Sequence, residues 1–224
     1  MTKANEVYAL LAEMIETGRL SPGDFWTEAG LVEEMEVGRT PLREAVQRLD
    51  RDHLVRIRPR RGIEIPSISV DDQLSRLEVR RALEPLAVAL ACTRATASEL
   101  TMIEALTEQL RLLDELKPYL AAVRKTHEVL CAAAHNEYLA NAMTPLQGLS
   151  RRFWLANVVD PATEIATGKS LHVDLLTALL QRNLEAAPHA ALRLNDYLVD
   201  FALNVAVRNS NEGRSIQTAT KSVR

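Results

Sequence analysis

Arginine is the residue whose number and spacing most clearly promise chemistry in this chain. Arg39, Arg43, Arg48, Arg51, Arg56, Arg58, Arg60 and Arg61 stand within residues 39–61 against Glu44, Asp50 and Asp52, a net charge of +5; residues 1–38 before them carry a net −6. The whole chain is at −3, so the basic signal is local. A guanidinium can pair bidentately with guanine O6 and N7 or with a phosphate, and a basic block of this density is the footprint a nucleic-acid backbone needs. A solvated charged face is the other reading of the same residues. A second constellation is Arg80 with Glu84, one helical turn apart in a stretch otherwise apolar at Leu77, Leu83 and Leu86. A guanidinium turned inward there needs a carboxylate partner. Arg81 points elsewhere and is expected to be exposed.

The arginines need elements to hold them. Val7, Leu10, Leu11, Met14 and Ile15 recur at helical spacing over Glu6–Ile15, and Gly18 stands where that helix would end. A Pro-Gly turn at 21–24 precedes a second helix over Glu28–Met35. Thr40 before Pro41 reads as the N-cap of a third, whose buried stripe is Leu42, Ala45, Val46 and Leu49. Two short helices around a tight turn form a helix-turn-helix. Val55 and Ile57 alternate with Arg56 and Arg58, the chain turns from Pro59 to Gly62, and Ile63 and Ile65 alternate again. This is a two-stranded wing with Arg60 and Arg61 at its tip. Such a unit sets the start of its third helix into the major groove and reaches the neighbouring backbone with the wing.

Residues 1–66 are therefore expected to form a winged helix-turn-helix, and the polar 67–72 a linker. Beyond it only helical periodicity is found, at 73–94, 98–114, 118–134, 137–157, 163–182 and 185–208. The fold class is mainly α, with an all-α bundle of six or seven helices over 73–208 and a polar, flexible tail over 209–224. No stretch is apolar enough to span a bilayer, and the first twenty residues carry acids inside their apolar pattern, unlike a signal peptide. A cytoplasmic protein without membrane association is expected. Cys92 and Cys131 sit in Ala/Leu-rich helical patterns and suit buried, reduced thiols. No HExxH, nucleophile elbow or phosphate loop is present, so the chain is not read as an enzyme.

The stretch EAGLVEEMEVGRTPLREAVQRLDRDHLVRIRPRRGIEI resembles the winged-helix domain of the GntR family of regulators. LEVRRALEPLAVALACTRAT from Leu77, HEVLCAAAHNEYL from His127 and the later His172 resemble the FCD effector domain that follows it in one large subgroup. The resemblance covers about residues 4–208. It implies a homodimeric repressor or activator that binds a palindromic operator on double-stranded DNA and answers to a metabolite, commonly an organic acid. The family's DNA contacts carry over to Arg39, Thr40 and Arg43 at the start of the third helix and to Arg61 and Gly62 at the wing. Gly38 stands where the family usually has Ser, and Ala29 where some members have a further Arg. Arg48 and Arg51 read as solvated helix charges.

FCD domains often hold a divalent metal with one Asp and three His, the Asp four residues before the first His. Here His127 and His172 match two of these, Val123 stands at the Asp position, and Asn195 is nearest to the last. A possible divalent metal on His127 and His172 is thereby set against a metal-free site in which Arg80, His127, His172 and Asn195 bind an organic effector, Arg80 taking its carboxylate. An effector-insensitive dimer and a metal-dependent enzyme using His127 and His172 are the alternatives. His135 and His189 read as surface or capping residues, and His53, at the entry to the wing, as chemically silent.

Overall fold

The computed structural model describes residues 2–67 and 69–222, with side chains described as far as 211. Two compact units emerge, one made of Met1–Ser69 with Pro145–Ala156, the other of Val70–Thr144 with Asn157–Arg224.

In the first unit, α1 (Lys3–Glu16) starts three residues before the sequence reading, because Thr2 caps it by accepting from the Asn5 amide at 3.3 Å. Val7, Leu11, Met14 and Ile15 are buried, but Leu10 faces out. Next come α2 (Glu28–Met35), capped by Thr27, and α3 (Arg39–Arg51). The cap of α3 corrects the sequence reading: it is Gly38, with no side-chain bond, and Thr40 already lies in the helix. Pro41 is tolerated at the third helical position because the amides of the first turn have no intrahelical partner. Leu42, Ala45, Val46 and Leu49 are buried as expected and meet α1. Burial of each large side chain contributes about 1.5–3 kcal/mol.

The wing is wider than expected. Strand β1 (Phe25–Trp26), of two residues, pairs antiparallel with β3 (Gly62–Glu64), which pairs in turn with β2 (Arg56–Arg58), giving the order β1-β3-β2. A two-residue strand is too short for alternation to show in sequence. Val55, Ile63 and Ile65 face the core, whereas Ile57 is exposed. The unit also takes in 145–156: Leu149 joins the core, Arg151 pairs with Glu16 at 3.1 Å, and Arg152 Nη2 donates to the Pro66 carbonyl at 2.7 Å.

Tyr8 ties the end of α3 to α1. Its hydroxyl donates to Asp52 Oδ2 at 2.6 Å, and the Arg48 guanidinium lies 4.1 Å over its ring. Burial, with the Asp52 carboxylate beside it, pushes the Tyr8 phenol up from its ordinary value, so it stays a neutral donor. Tyr8→Phe is expected to cost about 1–2 kcal/mol, the range for a hydrogen bond to a charged group that is only partly buried. An unchanged denaturation midpoint would show that the bond contributes nothing.

The second unit contains α4 (Val70–Arg94), α5 (Ala97–Leu112), α6 (Leu116–Ala133), the start of α7 (Glu137–Asn157), α8 (Pro161–Leu180) and α9 (Ala186–Ser222). That makes six helices in the second half of the chain among the described residues. Helix α4 begins within the expected linker, and α9 runs past 208 through most of the expected tail, whose last two residues lie outside the described ones. Thr96 and Glu99 form a capping box at α5, and Asp160 with Pro161 starts α8. Helix ends receive cations: Arg182 donates to the Cys92 and Ala95 carbonyls at 2.6 and 2.7 Å, and Arg94 to those of Ala134 and His135 at 3.1 and 3.2 Å. Helix α4 packs on α9, α6 and α8, so its inward face lines the middle of the bundle.

Candidate nucleic-acid interface and ligand-binding cluster

The start of α3 presents Arg39, Thr40 and, one turn on, Arg43 outward, while Leu42 anchors it from behind. Helix N-termini offer free amides and a positive dipole end to phosphates. Arg43 Nε rests on Glu28 Oε2 at 2.7 Å, with side chains 63% and 47% exposed, an ion pair weak enough to exchange for a base edge. Arg48 is drawn back onto Tyr8 and Asp52, while Arg51 is exposed.

At the wing tip Arg60 has a positive φ of 63° and Gly62 one of 97°. The Arg61 amide donates to the Arg58 carbonyl at 3.1 Å, closing the turn, and the Arg61 guanidinium lies 5.0 Å over the exposed Phe25 ring. A Cβ on Gly62 would stand 2.4 Å from the Trp26 carbonyl oxygen. Gly62 is thus required for the approach of β1 to β3, a role the sequence could not show because β1 itself was not legible. Phe25 is the residue here that sequence reasoning missed.

In the bundle the structure brings His127 of α6 and His172 of α8 together, ring centroids 5.7 Å apart. Gly168 O lies 2.6 Å from His172 Nδ1; a carbonyl only accepts, so Nδ1 carries a proton. Tyr119, also unforeseen, lies edge-on to His172 at 6.4 Å. It precedes His127 by two turns on the same face of α6, a spacing visible in the sequence. Its hydroxyl occupies the space a side chain at Gly168 would need, and burial raises its phenol above the ordinary value.

Arg80 on α4 is buried and donates through Nε and Nη2 to Glu84 Oε1 at 2.9 and 2.5 Å. Its other terminal nitrogen, Nη1, is left over by this pair. Asn195 on α9 is fully buried and donates to the Leu77 carbonyl at 3.2 Å. Asn195 Oδ1 and Glu84 Oε2 have no hydrogen-bond partner among the described residues. Arg81, by contrast, is exposed and paired with Asp196.

The residues present do not fit a firmly held transition metal. Val123, one turn before His127, offers no donor, and among the described residues no three His, Cys, Asp or Glu side chains gather to hold an ion. His135, 3.0 Å from Glu99, and His189 are both exposed, and His53 closes the C-terminus of α3 with a φ of 60°. No described helix is long and apolar enough to cross a membrane.

A winged helix-turn-helix with arginines at its recognition turn and wing tip, followed in one chain by a helical bundle with a buried polar cluster, defines a two-part regulator. Family models agree: residues 3–65 match the bacterial regulatory proteins of the gntR family and residues 75–196 the FCD domain. The chain belongs to the GntR family, in its FCD-containing branch. It is 31% identical over 148 residues to the HTH-type transcriptional regulator YdhC of Bacillus subtilis (strain 168), a match covering 64% of this chain and 66% of that one. It is 25% identical over 215 residues to the galactonate operon transcriptional repressor of Escherichia coli (strain K12), covering 87% and 94%. The solved structure of E. coli McbR/YncC superposes with a TM-score of 0.79 at 20% identity, covering 91% and 98%, a likeness of fold.

Proposed function

We propose that this protein is a transcription regulator which binds an inverted-repeat operator as a homodimer and is controlled by a small organic effector carrying a carboxylate. The observation that carries the reading is the outward row of Arg39, Thr40 and Arg43 over the first two turns of α3, with Arg61 and Gly62 at the wing tip. Arg43 and Arg39 read base edges, Thr40 and the amides of the turn hold phosphate, and Arg61, turned by Gly62, reaches the flanking groove. Repression is favoured over activation by relatives such as the galactonate operon transcriptional repressor.

On the sensor side, Arg80 Nη1 takes the effector's carboxylate, while His127, His172 and Asn195 fix the rest of the molecule by hydrogen bonds. The metal-free version of the site is preferred because Val123 and Asn195 stand where firm ligands would be needed. Effector binding controls transcription only in so far as the ligand prefers one of the dimer's states over the other.

The test is binding of Arg43→Ala to operator and to scrambled DNA, read by fluorescence anisotropy at one fixed salt concentration. Loss of a bidentate base contact is expected to weaken operator binding by about 1–3 kcal/mol and binding to scrambled DNA far less. Equal losses on both would remove the base-reading role and leave Arg43 a phosphate contact.

A further inference from the structure

Three arginines of α3 and the wing are held by acids. Arg43 rests on Glu28, Arg48 on Asp52 as well as on the Tyr8 ring, and Arg58 Nε on Glu64 Oε2 at 2.5 Å. Arg61 is held differently. Its guanidinium lies 5.0 Å over the Phe25 ring, and among the described residues no carboxylate pairs with it. The sheet explains why the two meet. Its register sets Phe25 and Arg56 opposite Glu64 from either side and Arg58 opposite Gly62, so Phe25, Arg56, Arg58 and Glu64 share one face, and Trp26, Ile57 and Ile63 share the other. Glu64, which stands across from the ring, is taken by Arg58. Phe25 is 46% exposed, and a lone exposed aromatic needs no explanation of its own. What singles it out is the cation above it.

We propose that Phe25 is a positioning residue for DNA binding, its ring holding the Arg61 guanidinium ready for the groove beside the half-site. The inference rests on the operator-binding reading above and adds to it a residue that acts through Arg61. A carboxylate that holds an arginine cancels its charge and occupies its N–H donors, and DNA must then displace it. A ring attracts the cation through the negative face of its quadrupole instead. The positive charge stays uncompensated, and donors at the edge of the guanidinium remain available to phosphate oxygens or to the acceptor edges of A·T pairs. Both ends of the contact are fixed by backbone. Arg60 and Gly62 hold the tip in left-handed conformations, φ 63° and 97°, and the Arg61 amide donates to the Arg58 carbonyl at 3.1 Å. The close approach of Trp26 to Gly62 sets β1 beside that tip. Only the rotamers of Arg61 are left to choose, and the ring narrows that choice before DNA arrives, which lowers the ordering cost of binding.

The experiment is fluorescence anisotropy of the full chain and its variants on the duplex that the parent chain enriches from a random pool, with circular dichroism to check the fold. Phe25→Leu keeps apolar bulk on the sheet and removes the π face. It is expected to bind that duplex about two- to fivefold more weakly, the worth of a solvent-exposed cation–π contact, while Phe25→Tyr matches the parent. In an Arg61→Ala background the same Phe25→Leu change is expected to cost nothing, because the ring then has no cation to hold. Parent-like binding by Phe25→Leu would overturn the positioning role, as would tighter binding, which would mean that Arg61 has to leave the ring to reach DNA. An undiminished loss in the Arg61→Ala background would overturn it too, since the ring would then touch DNA itself. These outcomes leave the operator-binding reading intact, whereas a parent chain that enriches no sequence overturns that reading and the inference with it. In case Phe25→Leu fails to fold, Phe25→Ile, β-branched and suited to a strand, carries the same expectations.

Discussion

Glu84→Ala is expected to destabilise the helical unit by about 3–5 kcal/mol, the cost of leaving one member of a buried ion pair without the other. The reason is local. Arg80 is 1% exposed, and it donates through Nε and Nη2 to Glu84 Oε1. An arginine cannot escape by losing its proton, because the guanidinium holds it far above any working pH. Replacing both partners by well-packed apolar residues, as in Arg80→Leu/Glu84→Leu, is expected to recover most of the loss, since desolvating two charges consumes much of what their attraction supplies. Urea denaturation of the two variants checks this. Should the double variant be as unstable as the single one, the penalty would come from lost packing and not from an orphaned charge.

Gly62→Ala is the second large expectation, about 2–4 kcal/mol, combining a residue forced into a left-handed region with a backbone clash. The added methyl would stand 2.4 Å from the Trp26 carbonyl oxygen at a φ of 97°. Neither a rotamer nor a neighbouring side chain can relieve it, because the obstacle is main chain. Either β1 leaves β3 or the wing turn rearranges, and in both cases Arg61 loses its place over Phe25. The variant should therefore lose operator affinity along with stability. Thermal unfolding and anisotropy measured on the same preparation separate the two, and unchanged values in both would contradict the steric role given to this glycine.

These residues also show what the sequence disclosed. Helix α3 was legible because its buried stripe repeats at 3.6 residues with no competing signal, and the wing because Ile63 and Ile65 alternate beside a glycine. The start of α3 was misread: Thr40-Pro41 carries a strong local capping preference, yet Gly38 can adopt the cap conformation and lets Arg39 and Thr40 enter the helix. Strand β1 was invisible because two residues carry no period. The place of 145–156 in the first unit was invisible for another reason. Leu149 and Arg151 lie in an ordinary amphipathic helix, and only tertiary structure shows that their partners are the first unit's core and Glu16.

The sensor half was legible to a different depth. His127 and His172 were named as a pair and are found side by side, and Arg80 is found on Glu84, one of the two partners left open for it, with one terminal nitrogen remaining outside that pair. Tyr119 went unnoticed because a tyrosine on a buried helix face is usually core. Its edge contact with His172 gives it a part in the cluster.

The most direct test of the central claim is to expose the purified full chain to a pool of random DNA duplexes and sequence what it retains. The account predicts enrichment of an inverted repeat whose half-site centres lie about 10 base pairs, one helical turn, or a multiple of it apart, as two copies of α3 in successive major grooves require. Retention without any enriched sequence would show that the basic block only holds phosphate, and would contradict the reading of this protein as a sequence-specific regulator.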